Sequence, residues 1–424
     1  MYSQSIQLST VQRQEEEHVI ILTHSYPRFE GDWRSNFIES LAVGYRENGV
    51  SVTIFVPRAV GWKRQSGDYA GIRIVPYSYM PFESWHILGY GKSMKGDLKM
   101  NPLHVLLLPF LIVAGAIRLA SFLRTERVSF IHSHWAVPNT IIALIARLLS
   151  LTKVKIFSSF PGSDVTVISQ LGLIGKLLAR LIALSDYLSC NSSDLKEELV
   201  KAGIPAKKID FVIYGVNNRT MQFDIDARKR LREQLEIADD EIVLLMVGRF
   251  VPKKGFATGI KAMPLIKSLH SNVRLLIVGS GLLESEYRRI ISESCSEDSI
   301  SILGEVLPTE LKNYYSASDI FLMPCERFPS DGLNVVVVEA MACGRPVVAS
   351  TVGGNDLVIF DGENGYLHHP ADAEDLAKKV SILIDDQQLR LSMGIASKKL
   401  IDERFNWMAI AAYYLGRYRA EQPK

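Results

Sequence analysis

The sequence predicts an α/β protein with two domains, each built around a parallel β-sheet. The chain has 424 residues, which exceeds what one hydrophobic core usually organises and suits two domains. Hydrophobic residues make up 47% of the chain and charged residues 22%, a balance typical of globular proteins. Short apolar runs that end in glycine or proline alternate with helical segments, and this alternation predicts parallel sheets.

The cysteine pattern and the first residues indicate the compartment. The four cysteines, Cys190, Cys295, Cys325 and Cys343, are scattered and contain no Cys-x-x-Cys pair. This argues against a disulfide framework or a zinc site and suits a reducing cytosol. Residues 1–17 are polar, so we expect a disordered lead-in there rather than a signal peptide. The predicted location is the cytoplasm.

Charge is distributed unevenly between the two halves. Residues 1–220 contain 24 Lys and Arg against 17 Asp and Glu, a net charge of +7, and the remainder contains 24 against 29, or −5. A basic N-terminal half could face an anionic acceptor or the inner face of a membrane, although a chance imbalance explains it equally well. We expect no nucleic-acid partner. The uncharged run 103–117 falls short of the roughly 20 residues of a transmembrane helix and predicts a core or interfacial helix.

The N-terminal half opens with a strand (18–23), a loop (24–33), an amphipathic helix (34–48) and a second strand (49–57). This order is Rossmann-like, but the loop lacks Gly-x-Gly-x-x-Gly, which gives little support to a dinucleotide site. Further strands are predicted at 72–76, 128–132, 154–159, 187–190 and 209–213, with helices at 139–149, 175–184 and 194–202.

Several residues of this half are candidates for ligand contact. His134 follows a predicted strand and would lie at its carboxyl end, facing a cleft; a satisfied structural histidine is the alternative. The segment 81–102 reads as a long loop, in which Tyr90, Lys92 and Lys95 are candidates because such loops often bind ligands.

The C-terminal half opens with a strand at 241–247 and a cationic loop. Gly248 allows a tight turn at the strand end. Arg249, as a bidentate fork, and Lys254, as a point charge, could together grip a diphosphate. Further strands are predicted at 274–278, followed by Gly279, and at 300–306, with helices at 224–236, 311–318 and 372–385.

Residues 320–350 predict a strand–loop–helix–strand unit. The strand 320–323 ends at Pro324, and a helix begins near Asn334 or Val335 and ends at Gly344. The loop Asp331-Gly332-Leu333-Asn334 places backbone N–H groups at a helix N-terminus, which favours a phosphate. Glu339 lies about one turn into the helix and can aim at the same pocket.

This unit resembles the signature of glycosyltransferase family 4, retaining enzymes with the GT-B fold of two Rossmann-like domains facing across a cleft. The family pattern is Glu, seven residues, Glu, then Ala-Met-Ala-x-Gly-x-Pro-Val, and here the first acid is Asp331. Residues 248–255 are similar to Gly-Arg-Leu-x-x-x-Lys-Gly except at Phe250. Pro161-Gly162-Ser163-Asp164 departs from His-Gly-x-Asp at its first residue, so we expect the sugar contact of that histidine to be absent or to come from His134.

The resemblance implies a role for each candidate residue. Arg249 and Lys254 would stabilise the leaving diphosphate of a nucleotide-diphosphate sugar, Asp331 would bind hydroxyls of the sugar, and Glu339 would hold the ribose. The implied donor-binding positions further include Gly31, Gly248, Gly279, Gly332, Leu333 and Asn334. The implied acceptor or sugar pocket contains Asp32, His134, Gly162 and Asp164. No metal or cofactor is expected, because no Asp-x-Asp motif lies in a suitable loop.

The resemblance also implies a domain division and a partner. The N-terminal domain would span 18–218 and bind a saccharide or lipid-linked acceptor, with 405–424 crossing back onto it, and the donor domain would span 219–404. Work on cell-surface polysaccharide or glycoconjugate is the implied pathway, with a peripheral membrane contact through the N-terminal domain. A sugar-nucleotide epimerase, a phosphorylase-like enzyme and an inactive sugar-nucleotide-binding protein stay open as alternatives.

Overall fold

The computed structural model of the chain describes residues 17–32, 34–64, 67–69, 71–89, 94–95, 99–100, 102–327 and 331–420. The predictions for residues 1–16, Tyr90 and Lys92 lie outside these ranges, as does the side chain of Lys95. The described residues form an eight-stranded sheet, a six-stranded sheet and a small two-stranded ribbon. All strand pairs of the six-stranded sheet are parallel. This confirms the predicted α/β fold with two parallel-sheet domains.

The eight-stranded sheet has the order β10-β9-β8-β7-β1-β2-β4-β3, and only the edge pair β3–β4 is antiparallel. The strands of this half, including the ribbon β5–β6, are β1 (His18–Leu22), β2 (Ser51–Pro57), β3 (Gly67–Tyr69), β4 (Ile72–Tyr77), β5 (Met94–Lys95), β6 (Lys99–Met100), β7 (Phe130–His134), β8 (Lys155–Phe160), β9 (Tyr187–Cys190) and β10 (Ile209–Phe211). Their helices are α1 (Asn36–Glu47), α2 (Pro102–Thr125), α3 (Ala136–Ser150), α4 (Ser163–Gln170), α5 (Gly172–Ile182) and α6 (Ser193–Lys201).

The six-stranded sheet has the order β13-β12-β11-β14-β15-β16. Its strands are β11 (Ile242–Val247), β12 (Val273–Val278), β13 (Ile300–Gly304), β14 (Ile320–Met323), β15 (Val347–Ser350) and β16 (Gly365–His368). The helices of this half are α7 (Ile225–Gln234), α8 (Phe256–Leu269), α9 (Glu284–Glu293), α10 (Leu311–Ala317), α11 (Val335–Ala342), α12 (Ala373–Asp385), α13 (Gln387–Glu403) and α14 (Trp407–Ala420).

The helix α2 is longer than its uncharged run, which corrects the length expected for it. It spans 24 residues because leucine and alanine continue the helix past Arg118 as far as Thr125. Among the described residues, its part Leu106–Thr125 is the one stretch long and apolar enough to cross a membrane by length and composition. Leu111, Leu119 and Leu123 are buried against the sheet, as expected for a core helix.

The final helix α14 packs on the N-terminal half. The Tyr414 hydroxyl lies 3.0 Å from Ser159 Oγ and 2.9 Å from Ser189 Oγ, on strands β8 and β9. A side chain at Gly44 of α1 would lie 2.4 Å from the carbonyl oxygen of Trp407, so only glycine allows this close crossing. The chain therefore passes from one sheet to the other and returns, and the two crossing segments lie side by side, since the Val216 N–H donates to the Phe405 carbonyl.

The loops at the carboxyl ends of the two sheets meet. The Leu333 N–H donates to the Asn191 carbonyl over 3.3 Å, and Ser192 Oγ donates to the Asp331 carbonyl over 2.8 Å. Carboxyl strand ends are where open α/β sheets bind ligands. The topology thus brings together, across one cleft, residues that are more than a hundred positions apart in the chain.

Candidate active site

A buried ion cluster lies before α11. Lys254 Nζ donates to Asp331 Oδ2 over 2.7 Å, and Lys253 Nζ lies 3.1 Å from Asp331 Oδ1. Burial raises the pKa of the Asp331 carboxyl, but the Lys254 and Lys253 ammonium groups together outweigh burial and hold this pKa below its usual value. Two cations share one carboxylate, so the cluster keeps an excess positive charge.

The helix N-terminus beside this cluster has no side-chain cap. Asn334 occupies the N-cap position, but its side chain is used elsewhere. Asn334 Oδ1 accepts a hydrogen bond from Lys254 Nζ, and Asn334 Nδ2 donates to Cys325 Sγ over 3.2 Å. The N–H groups of Val335 and Val336 belong to the first turn and have no acceptor within the helix. A phosphate placed there would meet both these N–H groups and the Lys254 charge.

Gly332 and Leu333 have a different immediate role from the predicted phosphate contact. The Gly332 N–H donates to Asp331 Oδ1 over 3.1 Å, and the Leu333 N–H donates to the Asn191 carbonyl. A Cβ at position 332 would lie 2.3 Å from Asn191 Oδ1 and 2.7 Å from the Pro161 carbonyl oxygen. Gly332 therefore lets the two domains touch, and neither N–H is available to an anion in this arrangement.

Glu339 reaches a cavity between the domains. Its Oε2 accepts a hydrogen bond from the Tyr315 hydroxyl over 2.8 Å. Burial raises the pKa of Glu339, and the Tyr315 hydrogen bond lowers it in part. The cavity has a volume of about 520 Å³, and Phe37 of α1 and Trp407 of α14 line it opposite Glu339.

A second cavity lies beside the cationic loop. It has a volume of about 580 Å³ and is lined by Gly248, Arg249 and Gly279, together with Glu305 and Val336. A side chain at Gly279 would lie 1.9 Å from the Gly248 carbonyl oxygen, which explains why glycine is needed where these two loops meet. The predicted pair is thus divided: Arg249 is exposed at this cavity, whereas Lys254 is buried with Asp331.

The two cavities flank one helix turn. Pro308 lines both of them, Val335 lines the first and Val336 the second. The uncapped turn of α11 therefore stands between two spaces of ligand size, and the Lys253–Lys254–Asp331 cluster adjoins this turn through the contact of Lys254 with Asn334. This arrangement can hold an anion at its centre with larger groups on either side.

Two histidines on β7 differ in their partners. His132 Nδ1 lies 2.9 Å from the Tyr45 hydroxyl and its Nε2 lies 2.9 Å from Ser159 Oγ. His134 is buried, and neither ring nitrogen has a hydrogen-bond partner among the described residues. Burial lowers the pKa of His134 to about 3, so the ring is neutral. His132 is the satisfied structural histidine, and His134 has free hydrogen-bonding capacity near the cleft.

Gly162 and Asp164 form the loop after β8. The Asp164 Oδ2 accepts the Ala136 N–H over 2.7 Å, and its Oδ1 accepts the N–H groups of Gly162 and Val165 over 3.3 and 3.1 Å. Burial raises the pKa of Asp164 to about 7 against the opposing effect of these hydrogen bonds. A Cβ at Gly162 would lie 3.7 Å from the Gly332 nitrogen. Asp164 therefore holds the loop in shape, and Gly162 faces the opposite domain.

Gly31 and Asp32 show local structural roles. Asp32 is buried and pairs with Arg28 over 2.7 Å and Arg34 over 3.6 Å within its own loop. Gly31 has a φ of 86° and is exposed, with open space where a side chain would lie. The positive φ explains glycine there. Their donor and acceptor roles stay predictions.

Sequence reasoning missed the segment that joins the domains. The sequence pattern predicts only a helix at 194–202 in this region, and Ser192 does accept the Leu195 N–H at the start of α6. The same segment contacts the C-terminal domain: Asp194 Oδ2 accepts the Gly353 N–H over 2.9 Å, besides the contacts of Asn191 and Ser192 described above. A run of polar residues directly after a strand was the available signal. Lys253 was also missed, although it adjoins Lys254.

A group of possible metal ligands lies elsewhere. Among the described residues, His369, Asp372 and Asp375 bring ligand atoms within 4.8 Å of one another. Asp372 caps α12, and Asp375 accepts hydrogen bonds from His369, so ordinary structural contacts explain the group. The expectation of a metal-independent site is not tested by this group.

Comparison with known families agrees with this architecture. Residues 227–400 match the model of glycosyl transferases group 1, and residues 35–219 match the model of Glycosyltransferase Family 4. The fold and these family matches define a GT-B glycosyltransferase. The chain belongs to the family 4, group 1 glycosyltransferases, which confirms the resemblance seen in its sequence.

Relatives with assigned names differ in what they act on. N-acetyl-alpha-D-glucosaminyl L-malate synthase of Bacillus anthracis is 26% identical, over 75% of this chain and 81% of its own length. The GDP-mannose-dependent alpha-(1-6)-phosphatidylinositol monomannoside mannosyltransferase of Mycobacterium tuberculosis is 27% identical, over 65% of this chain and 72% of its own.

Solved structures share the fold. Sucrose-phosphate synthase from Thermosynechococcus elongatus aligns with a TM-score of 0.71 at 21% identity, covering 96% of this chain and 99% of that one. Anabaena Alr3699/HepE in complex with UDP and glucose aligns with a TM-score of 0.65 at 18% identity, covering 96% and 100%. At these identities the structures establish the common fold.

Proposed function

We propose that the protein is a retaining glycosyltransferase that moves a sugar from a nucleotide-diphosphate sugar to a saccharide or lipid-linked acceptor. One observation carries the proposal: the uncapped turn of α11, with Lys254 and Lys253 beside it, stands between two ligand-sized cavities. A diphosphate would bind at this turn, with the nucleoside in a neighbouring cavity and the sugar toward Asp331. A nucleotide-sugar donor is supported by the names of relatives and by the UDP bound to Alr3699/HepE.

Donor binding would begin by exchange of partners. Lys254 and Lys253 now neutralise Asp331. An incoming diphosphate would draw one or both ammonium groups toward its oxygens, with Arg249 at the adjacent cavity as a third cation. Asp331 would then have oxygens free to accept hydroxyls of the donor sugar, and Glu339 would hold hydroxyls of the ribose. Cations placed in advance stabilise the charge that grows on the leaving phosphate.

Transfer with retention would take place on one face of the sugar. The bond between the anomeric carbon and the phosphate oxygen breaks, and the acceptor oxygen bonds to the same face of that carbon. The acceptor proton passes to the departing phosphate oxygen, so no side-chain nucleophile and no metal ion are required. His134, with two unpartnered ring nitrogens, would supply the sugar contact that Pro161 cannot make.

The acceptor would be presented at the inner face of the membrane. The basic N-terminal half and a relative that acts on a phosphatidylinositol mannoside support a lipid-linked acceptor and a peripheral membrane contact. We place the reaction in the synthesis of cell-surface polysaccharide or glycoconjugate.

Thermal-shift screening against UDP-, GDP- and ADP-sugars tests donor binding. A ligand at about a hundred times its Kd stabilises the fold by about 2.7 kcal/mol, a readily measured rise in Tm. Slow release of nucleoside diphosphate from the stabilising donor would support transfer over an inactive binding protein. If no donor raises Tm, the assignment of the two cavities is wrong.

Lys254→Ala tests the leaving-group role. We expect turnover to fall by about a hundredfold to a thousandfold, because a preorganised charge is lost at the leaving phosphate. Lys261→Ala, an exposed lysine on α8, is the matched control and should leave turnover unchanged. Turnover of Lys254→Ala within about threefold of the unaltered protein would contradict the proposed role.

A further inference from the structure

Three neighbouring helices of the N-terminal half turn an apolar surface to solvent. Helices α2 and α3 cover one face of the first sheet together, and a groove of about 880 Å³ joins the end of α3 to α5. The outer sides of these helices would carry polar residues in an ordinary soluble protein. We name the exposed side chains of α2, the end of α3 and α5 the outer apolar surface.

On α2 the exposed residues form one stripe. Leu106, Phe110, Val113 and Ile117 recur at helical spacing and are 69%, 56%, 57% and 59% exposed. The opposite side of the same helix is buried against the sheet. The helix is therefore apolar on both sides, and only one of these sides is covered by protein.

The helix α5 is inverted relative to the usual amphipathic pattern. Its small residues Gly175 and Ala179 face inward, and a Cβ at Gly175 would lie 1.9 Å from the Ile168 carbonyl oxygen. Its large residues Leu173 and Leu177 face outward and are 84% and 58% exposed. A sequence that places large apolar side chains in water and small ones in the core indicates a second apolar environment outside the protein.

The charge around this surface is predominantly positive. Residues 127–185 contain six Lys and Arg and a single acid, Asp164, which is buried beneath backbone N–H groups. Lys176 and Arg180 are exposed on α5 beside the leucines. Asp186, at the groove, is neutralised by Arg147 at 2.8 Å and Lys155 at 3.3 Å. An anionic partner is therefore favoured.

We propose that the outer apolar surface inserts into the interfacial region of a bilayer containing anionic lipids. Apolar side chains would enter the boundary between headgroups and acyl chains, and the flanking Lys and Arg would contact lipid phosphates, as in interfacial amphipathic helices. The helix α2 lies along the membrane and does not span it, because Leu111, Leu119 and Leu123 are fixed in the domain core. A second copy of the chain fits less well, since a two-fold contact would oppose like charges.

This surface would bring the enzyme to a membrane-borne acceptor, and that role rests on the proposed function. Binding of the surface to a bilayer does not depend on it. The helix α2 leads into the start of β7, so its N-terminal end lies toward the carboxyl ends of the strands. The stripe that begins at Leu106 therefore runs from the cleft side of the domain to its far edge. A bilayer at this surface would lie beside the cleft.

Vesicle sedimentation without donor or acceptor tests the surface. We expect the protein to sediment with phosphatidylcholine vesicles containing about 30% phosphatidylglycerol, and to sediment less as salt rises from about 0.1 to 0.5 M. Leu173→Glu with Leu177→Glu should lower the partition more than about tenfold. Leu282→Glu, at a leucine 85% exposed in the C-terminal half, is the matched control and should bind as the unaltered protein does.

A second variant keeps the test interpretable if the leucine variant misfolds. Lys176→Ala with Arg180→Ala removes only exposed charges and should lower partition by roughly tenfold to thirtyfold, at about fivefold for each cation. If the unaltered protein does not sediment with anionic vesicles, or if both variants sediment as it does, the proposal is overturned. A dimer that the leucine variant dissociates, without vesicle binding, would assign the surface to a second copy instead.

Donor hydrolysis in free solution separates the two proposals. The leucine variant should hydrolyse donor at the rate of the unaltered protein, because the substituted side chains lie outside the site. Hydrolysis absent from every form, with vesicle binding intact, would contradict the proposed transfer and leave the membrane surface standing.

Discussion

Before α11, on the C-terminal wall of the cleft, a charge cluster is paired within itself, whereas several buried polar groups on the N-terminal wall have no partner among the described residues. Asp331, Lys254 and Asn334 form a closed set of contacts before α11. Across the cleft, both nitrogens of His134, the Tyr214 hydroxyl and Asn191 Oδ1 are buried without a hydrogen-bond partner among the described residues. The charge cluster and these unpartnered groups therefore differ in how far the protein itself satisfies their hydrogen-bonding capacity.

This difference indicates separate tasks for the two walls. A paired charge cluster can exchange partners when an anion arrives, so the cluster on the C-terminal wall would suit the proposed diphosphate. An unsatisfied buried polar group costs about 1–3 kcal/mol, a cost that a ligand with several hydroxyl groups can offset by hydrogen bonding. The N-terminal wall would therefore suit the proposed sugar contacts.

Removing Asp331 from the paired charge cluster should have the largest effect. Asp331→Ala leaves two buried ammonium groups without their carboxylate, a change that costs about 3–5 kcal/mol in buried pairs. Turnover should fall by about a hundredfold or more at saturating donor, since the sugar also loses its predicted contact. Chemical denaturation and donor hydrolysis measure the two effects.

The exposed pair of Glu284 and Arg288, at 2.8 Å on α9, provides the control for that variant. Glu284→Ala should change the free energy of unfolding by less than about 1 kcal/mol, because water screens the pair. Equal losses in the two variants would show that burial of the Asp331 cluster has no energetic consequence.

Variants of the two histidines of β7 should have effects of intermediate size. His132→Phe leaves the Tyr45 hydroxyl and Ser159 Oγ without this partner and should cost about 2–4 kcal/mol of stability. His134→Phe removes no hydrogen bond and should stay within about 1 kcal/mol of the unaltered protein. Turnover should nevertheless fall in His134→Phe, by roughly tenfold for one lost sugar contact.

A His134→Phe variant with lost stability and intact turnover would reverse these assignments. Denaturation curves and donor kinetics on the same preparations decide between the two outcomes.

The last test of the comparison is a pH dependence. The pKa of His134 is lowered to about 3 by burial, from about 6.5 in an unfolded chain. Between these values the unfolded state binds a proton that the folded state does not, so the contribution of His134 to stability is complete above pH 6.5 and declines by about 1.4 kcal/mol per pH unit as pH falls. His134→Phe should therefore lose stability less steeply from about pH 6 to pH 4, as measured by Tm. Parallel curves for the two proteins would mean that His134 titrates as an exposed histidine does.

Much of the C-terminal wall could be predicted from the sequence because each of its motifs occupies one contiguous stretch of the chain. The strand–loop–helix unit around Asp331 and the loop from Gly248 to Gly255 each occupy one contiguous stretch, where spacing, turn residues and helix boundaries constrain geometry. The predicted strand and helix of this unit are confirmed as β14 and α11. The residue-level roles of Arg249, Lys254, Asp331 and Glu339 stay predictions.

Elsewhere the local pattern was ambiguous or silent. The helix α4 was not predicted, because its short stretch after Gly162 reads equally as a loop. The length of α2 was underestimated, since the uncharged run was taken as the helix and charged residues continue a helix as readily as apolar ones. The predicted phosphate contacts of Gly332 and Leu333 did not take into account that Asp331 accepts the Gly332 N–H and that Asn191 of the other domain accepts the Leu333 N–H.

By itself, the sequence determined the α/β class, the order of most elements and the family, because these depend on periodicity and on contiguous motifs. Only the tertiary structure decided which of two similar histidines is satisfied, that Lys253 joins Lys254 on Asp331, and that Asn191 touches Leu333. It also decided that the leucines of α5 face outward. Each of these depends on groups brought together from distant parts of the chain or on which side of a helix is covered, and no local spacing encodes that.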